Sequence, residues 1–345
     1  MRPAAFAIPG DIDQKTGGYI YEKSLLLALR EGGRPVAHLE LPGSFPEAPA
    51  ADMARAVAEL AALPPDQPVI LDGLVYGSID TTGLATVKAP LVAMIHHPLG
   101  LETGLSPARA AELLRLEAAN LALAAHVVVP SPHTARILAA DFGVPSDRIT
   151  IALPGFAEPD PVRTPLTPPL ILAVGLIALR KGHDVLIRAL ARIADLRWQA
   201  QIVGGTHDAT VGAALRAQIA DAGLGPRITM RGRMETEDLA TLYQQATIFA
   251  LATRYEGYGM VFGEALLHGL PIVTCNGGAV PETVPPGAGL LVEVDDDRAF
   301  GEALRHLLTD RDARCAMAAT ATAAGHALPR WSDTARVMGA VLDRP

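Results

Sequence analysis

Glu256-Gly-Tyr-Gly-Met-Val-Phe-Gly-Glu264 sets two carboxylates eight residues apart around a glycine-broken turn. The apolar run before it, 248–252, predicts a strand, and 260–268 predicts a helix; Gly257 and Gly259 permit backbone angles and close approaches that side chains would block. Amides at an open helix start face an anion, because the first turn leaves its N–H groups unpaired. Glu256 then sits at the strand end beside that anion. Glu264, one turn into the helix, can accept hydrogen bonds from a pair of vicinal hydroxyls. Carboxylates beside an anion site suit only a ligand that carries hydroxyls as well as phosphates, as a sugar nucleotide does.

A second group of residues follows a strand expected at 170–174: Gly175-Leu-Ile-Ala-Leu-Arg180-Lys181-Gly182 places two cations at a strand-to-helix connection. Arginine grips phosphate oxygens bidentately and lysine supplies a compact charge. Lys181 is one of only four lysines in the chain. The helix dipole disfavours cations at a helix start, so two of them there call for an anionic partner. His96-His97-Pro98 ends another expected strand, where a side chain can project toward a ligand. Neighbours on a strand point to opposite faces, so a metal shared by the two histidines is not expected, whereas packing or a ligand contact by either remains open. Asp11-Ile-Asp13 lies in a glycine loop and could touch hydroxyls, and Asp295-Asp-Asp297 precedes a helix, where aspartates serve as caps.

The elements that must hold these residues alternate strand and helix through both halves, the pattern of parallel sheets covered by helices. Strands are expected at 4–8, 35–39, 69–71, 91–96, 127–129 and 149–152, then at 170–174, 199–203, 228–230, 248–252, 272–275 and 290–292. The clearest first-half helix is 107–124, and another begins near Tyr19. The proline-rich stretch 159–169 cannot be regular structure, since each proline lacks an amide donor and restricts its predecessor. The expectation is therefore an α/β chain of two Rossmann-like, doubly wound domains facing a cleft: 1–158, a linker at 159–169, and 170–328, with a terminal segment 329–345 whose helix could cross back to the first domain. Ligands of such sheets lie at the carboxyl ends of the strands.

Composition narrows the partners. The 345 residues are half apolar, enough for two cores, and the formal charge is −8 with arginines scattered rather than clustered. That argues against nucleic acid, which demands a basic patch. No stretch approaches the roughly 20 apolar residues of a membrane span. The start of the chain lacks the long apolar core of a secretory signal, so the expected setting is cytoplasmic. Cys275 and Cys315 show no metal or redox spacing. The helix 107–124 carries Arg109 and Arg115 against Glu112 and Glu117, so it lacks the basic face of a membrane-surface helix.

Taken in order, Val174-Gly175 with Lys181-Gly182, Ile202-Val203-Gly204, Met230-Arg-Gly232-Arg-Met234, Glu256 to Glu264, Gly269-Leu-Pro271-Ile-Val and Gly277-Gly278-Ala-Val-Pro-Glu282 resemble the GT-B glycosyltransferases of family 4, the retaining group with an E-x7-E motif. The resemblance spans nearly the whole second domain and is looser in the first, through Gly17-Gly18 and His96. It implies that Lys181 binds the donor diphosphate, that Glu264 holds the ribose and that Glu256 contacts the transferred sugar. It further implies that the amides of Gly257, Tyr258, Gly259, Met260 and Val261 lie along sugar and phosphate, and that the backbone near Gly204, Arg233 and Met234 meets the base. Gly17 and Gly18 would form a loop closing over the diphosphate. His96 would contact the donor sugar, with His97 the adjacent alternative. Leu176 departs from the pattern, since the family often has a second phosphate-binding arginine there; Arg180 stands beside Lys181 to supply that charge.

The activity so implied is metal-independent, retaining transfer of a hexosyl group from a nucleotide sugar to a hydroxyl of a soluble small molecule or saccharide. No cofactor is required. The donor is a UDP-sugar by frequency in the family or a GDP-sugar. A non-catalytic homologue that only holds a nucleotide sugar is the alternative. A nicotinamide dehydrogenase would need a Gly-x-Gly-x-x-Gly turn after a first strand, and neither Ile8-Pro-Gly-Asp nor Val174-Gly-Leu-Ile supplies one.

Overall fold

Short runs of Val, Ile, Leu and Ala lie buried along their full length in β1 (Ala4–Pro9), β3 (Val69–Asp72), β4 (Leu91–Met94) and β5 (His126–Val129), and strands without a polar face must be covered on both sides. β2 (Val36–Leu41) and β6 (Ile149–Ile151) are more exposed and form the two edges. The same holds farther on, in the computed structural model that describes residues 1–158, 162–206 and 208–344. There β7 (Leu170–Val174), β8 (Gln199–Val203), β10 (Ile248–Leu251) and β11 (Ile272–Cys275) are apolar and interior, and β9 (Ile228–Gly232) and β12 (Gly289–Val292) are the edges.

The chain divides into two units, Met1–Ala157 with Pro329–Pro345, and Glu158–Leu328. The first is a six-stranded parallel sheet in the order β2-β1-β3-β4-β5-β6. The second is also six-stranded and parallel, in the order β12-β11-β10-β7-β8-β9. Both are doubly wound. Winding reverses between β1 and β3 in the first unit and between β7 and β10 in the second, and the carboxyl ends of those strand pairs are where ligands of such sheets bind. Phe249 and Phe262 meet edge to face, with ring centres 5.8 Å apart, and lie among the residues that pack one face of the second sheet; Trp198 is buried on the other.

The terminal helix Trp331–Leu342 belongs to the first unit and packs on the helix Gly17–Glu31. Trp331 meets Tyr21 edge to face at 5.4 Å, Thr334 Oγ1 donates to Leu153 O (2.8 Å), and Arg34 Nη2 reaches Asp343 Oδ2 at 2.6 Å. Of the expected linker, residues 159–161 lie outside the described residues. The remainder is laid on the second unit: Arg163 Nη2 donates to Ala246 O (2.7 Å), Arg163 Nη1 to Gly269 O (3.0 Å), and Thr164 N to Gln244 O (3.0 Å). No helix among the described residues is long and apolar enough to cross a membrane.

Two expectations need correction. The first helix starts at Gly17 rather than near Tyr19, so the glycine pair forms its opening turn and not a free loop. The helix Pro107–Leu121 does not carry Glu117 on its surface; that side chain is buried and accepts from Leu99 N (3.0 Å), and burial pushes its carboxyl up to about 8.

Gly155 marks where the terminal helix is admitted, because a methyl group there would stand 2.3 Å from Trp331 N. Gly155→Ala should cost about 1–3 kcal/mol in the first unit, the range for forced overpacking. The check is urea unfolding combined with amide exchange, with faster exchange confined to the terminal helix and its neighbours.

Candidate functional site

The site in the second unit is built at the reversal point. From β7 the chain passes through Gly175 to a short turn, Leu179–Lys181, that presents Arg180 and Lys181. Gly182 then takes a left-handed conformation (φ 61°), and a side chain there would strike Ala252 O, so only glycine lets this loop lie against the end of β10. The aliphatic stem of Lys181 runs past Gly175, and its ammonium donates to Glu256 Oε1 at 2.6 Å. Glu256 arrives from the other strand of the reversal point, four residues beyond Ala252. Thr253 Oγ1 lies 2.9 Å from the same carboxylate oxygen, and Arg180 Nη1 lies 3.6 Å from Glu256 Oε2 while donating to Tyr255 O (3.0 Å).

Glu256 is only 4% exposed. Burial alone would raise its pKa, but Lys181 and then Arg180 outweigh that and hold the carboxyl below its ordinary value. Behind it, Arg254 fixes the two loops to one another: its amide donates to Arg180 O (2.8 Å), and its guanidinium bridges Asp184 and Asp295, each at 2.8 Å. The result is a buried carboxylate between two cations at the carboxyl end of the sheet.

From Glu256 the chain turns through Gly259, left-handed at φ 86°, into the helix Met260–Leu267, whose start has no side-chain cap. Glu264 on that helix is half-buried and accepts a hydrogen bond from Tyr243 Oη at 2.7 Å through Oε2. Tyr243 is stacked on His268, with ring centres 5.1 Å apart. Burial raises the Glu264 carboxyl and the Tyr243 hydroxyl offsets part of that rise. Gly204 lies at the end of β8 so close to Gly175 O that no side chain fits, and Arg233 and Met234 follow β9, Met234 packed on the core and Arg233 beside Gly205. The Leu176 side chain is apolar, and its carbonyl contacts His183 Nε2 at 3.0 Å; burial lowers His183 to about 4.

In the first unit, His96 lies two residues past the end of β4 rather than in it. Its Nε2 is 3.4 Å from Glu22 Oε1, Asp72 completes the group, and a side chain added at Gly18 would touch the ring. The aspartate runs are engaged locally. Asp13 pairs with Lys23, Asp296 caps the helix Asp297–Thr309 through Ala299 N (2.8 Å), and Asp297 pairs with Arg192.

The structure thus brings Arg180, Lys181 and Glu256 into one cluster, puts Glu264 on the adjoining helix with its own partner, and groups His96 with side chains the sequence did not single out. Thr253, Tyr243, Glu22 and Asp72 were missed. Thr253 stood three residues from Glu256 and could have been read as its partner; the other three come from distant elements joined only by strand order.

Comparison with known proteins agrees with this architecture. Residues 168–310 match the family described as glycosyl transferases group 1, and residues 28–157 match glycosyltransferase family 4. A GDP-mannose-dependent monoacylated alpha-(1-6)-phosphatidylinositol monomannoside mannosyltransferase of Corynebacterium glutamicum is 35% identical over 176 residues, 48% of this chain and 44% of that protein. A D-inositol 3-phosphate glycosyltransferase of Xylanimonas cellulosilytica is 30% identical over 215 residues, 57% of this chain and 51% of that protein. The matched part therefore spans about half the length of these curated relatives. Among solved structures, sucrose-phosphate synthase from Thermosynechococcus elongatus superposes with a TM-score of 0.82 at 22% identity, covering 99% of this chain and 98% of that one. Anabaena HepE in complex with UDP and glucose superposes with a TM-score of 0.77 at 17% identity over the full length of both chains.

The buried ion pair has a measurable signature. Because Glu256 is held below its ordinary value of about 4.5, its stabilising contribution is present above that pH and is lost as pH falls through the depressed value. In Lys181→Met the burial effect should take over and raise the carboxyl. Its contribution then reverses sign, costing about 3 kcal/mol at neutral pH, as for other broken buried pairs, and recovering as pH falls. Urea unfolding at a series of pH values checks this, and parallel curves for the two proteins would exclude it.

Proposed function

Because the chain belongs to the GT-B glycosyltransferases of family 4, we propose that it is a retaining hexosyltransferase, moving a sugar from a nucleotide diphosphate to a hydroxyl of a small molecule or saccharide. The observation that carries this reading is the buried Lys181–Glu256–Arg180 cluster at the reversal point, beside the uncapped helix that holds Glu264. Such an arrangement suits a diphosphate that gains negative charge as it leaves, since catalysis of this kind depends on stabilising charge where it develops.

In the proposed reaction Lys181 and Arg180 take the diphosphate oxygens, together with the amides that open the helix Met260–Leu267. Arg180 supplies the second cation that Leu176 lacks, so the charge is met by side chains without a divalent ion. Glu256, kept ionised by its neighbours, orients hydroxyls of the sugar. Glu264 has one oxygen committed to Tyr243 and uses the other on the ribose. The bond from the anomeric carbon to the phosphate oxygen breaks as the acceptor oxygen bonds on the same face. The acceptor proton passes to that phosphate oxygen. His96 meets the donor sugar, and Gly204, Arg233 and Met234 line the base.

The frequency of uridine donors favoured UDP, whereas the mannosyltransferase relatives carry GDP-mannose in their names, so GDP-mannose is the first donor to try. Inositol phosphate is the first acceptor, by the names of the other relatives.

The test is a thermal-shift screen of GDP-, UDP- and ADP-sugars followed by turnover with the stabilising donor. At one hundred times Kd a true donor should stabilise the protein by about 2.7 kcal/mol. Glu256→Ala should keep the shift and lose turnover by about 100-fold or more. A shift without turnover for the unaltered protein supports the non-catalytic alternative, and no shift with any donor defeats the reading altogether.

A further inference from the structure

Glu22, Asp72 and His96 meet at the reversal point of the first unit, where the helix after β1, the end of β3 and the loop after β4 come together. Their potential ligand atoms all lie within 4.8 Å of one another. Glu22 is 1% and Asp72 is 4% exposed, while the His96 side chain is 24% exposed and is the member that meets solvent. Two ionised carboxylates cannot share such a place without compensation, because each charge removed from water costs several kcal/mol.

The donors do not cover the acceptors. Asp72 Oδ1 accepts from Leu74 N at 2.8 Å, the bond that caps the short helix Gly73–Tyr76. Glu22 Oε1 faces His96 Nε2 at 3.4 Å, and Glu22 Oε2 is buried with no hydrogen-bond partner among the described residues. One oxygen of each carboxyl lies within 4.8 Å of the other, a separation at which two buried carboxylates repel strongly enough that the pair keeps a proton.

We infer that Glu22 and Asp72 hold a single proton between them, and that the pair, left with one negative charge instead of two, positions His96, holding its Nε2 toward Glu22. Nδ1 is then left as the ring's acceptor. Tyr21 meets the ring edge-on at 5.1 Å and Gly18 leaves room for it, so the orientation is defined on three sides. Glu22 and Asp72 are positioning residues here, and their bearing on catalysis rests on the reading that His96 meets the donor sugar.

The surrounding titratable groups are consistent with a retained proton. Tyr19 and Tyr21 face the pair from the same helix, their hydroxyls donating to Pro9 O and Ala152 O at 2.8 Å, and both are pushed up by burial, with Glu22 contributing. Asp11 acts on Tyr19 from the preceding loop, Lys23 on the next turn is paired with Asp13, and the terminal helix presents Trp331. Burial raises Glu22 to about 7, and burial together with Glu22 holds Asp72 well above the carboxylate range. His96 is lowered by burial and partly restored by Asp72.

The sign follows. A carboxyl raised from about 4.5 to about 7 contributes stability that is complete below the lower value and is lost as pH rises through the upper one. The experiment uses the full chain and Glu22→Gln, with Asp72→Asn as a second variant and Glu22→Ala as the non-conservative control. Melting temperature is followed from about pH 4 to 9, and the His96 ring by nitrogen-resolved NMR, neither of which needs substrate.

The unaltered protein should lose stability across the window named above, with the His96 signals moving in step. Glu22→Gln, which fixes the protonated state's geometry, should flatten both curves. Glu22→Ala should release the ring, and kcat should fall about tenfold with Gln restoring most of it. Unaltered curves in Glu22→Gln and Asp72→Asn would overturn the inference. So would loss of stability on chelation that manganese or zinc restores, which would make the group a cation site. If the NMR and melting results hold while no donor is turned over, the proposed function fails and the shared proton stands.

Discussion

A carboxylate buried at the end of a parallel sheet must be neutralised, and the architecture of the second unit is arranged around that requirement. Glu256 is almost wholly out of water, and it stays ionised because Lys181 and Arg180 approach from the neighbouring loop. That approach depends on Gly182 packing against Ala252, on β7 lying beside β10, and on Arg254 tying one loop to the other. Each of these contacts fixes where the charges stand. The ion pair is weak evidence of stability in itself, since its desolvation cost rivals its attraction. What it provides is a pair of cations held in place at the carboxyl end of the sheet.

The first unit meets the same demand with different means. Its buried carboxylates, Glu22 and Asp72, stand beside a histidine. A lysine–arginine cluster lowers the pKa of the carboxylate it surrounds; a second carboxylate raises it. The two reversal points therefore carry opposite electrostatic characters, one lowering the pKa of its buried carboxyl and one raising it. Doubly wound sheets supply the place but leave the chemistry to the loops.

Much of this was legible in the chain. Strand positions were recoverable because buried parallel strands are continuous apolar runs, and the pairing of Glu256 with Glu264 and of Arg180 with Lys181 is local, carried by spacing along a turn and a helix. What escaped was non-local. Tyr243 lies on a different helix from Glu264 and meets it only because β10 brings the two helices together. Neither Glu22 nor Asp72 belongs to a motif that spacing reveals; only the order β1-β3-β4 makes them neighbours of His96. Glu117 misled in the opposite sense, since a helical pattern cannot tell a solvated glutamate from one turned inward to hold a loop amide.

Tyr243 shows how such hidden partners shape a site. A carboxylate offers two oxygens and about four lone-pair directions, so a donor that occupies one of them also steadies its plane. The Tyr243 phenol occupies one direction at Glu264 Oε2 and steadies the plane of the carboxylate. Stacking on His268 fixes the phenol in turn, and Arg163, bonded to the carbonyl of Gly269 one residue on, closes the chain that follows the helix. The stretch that joins the units thus ends hydrogen-bonded to the chain that leaves the helix carrying Glu264.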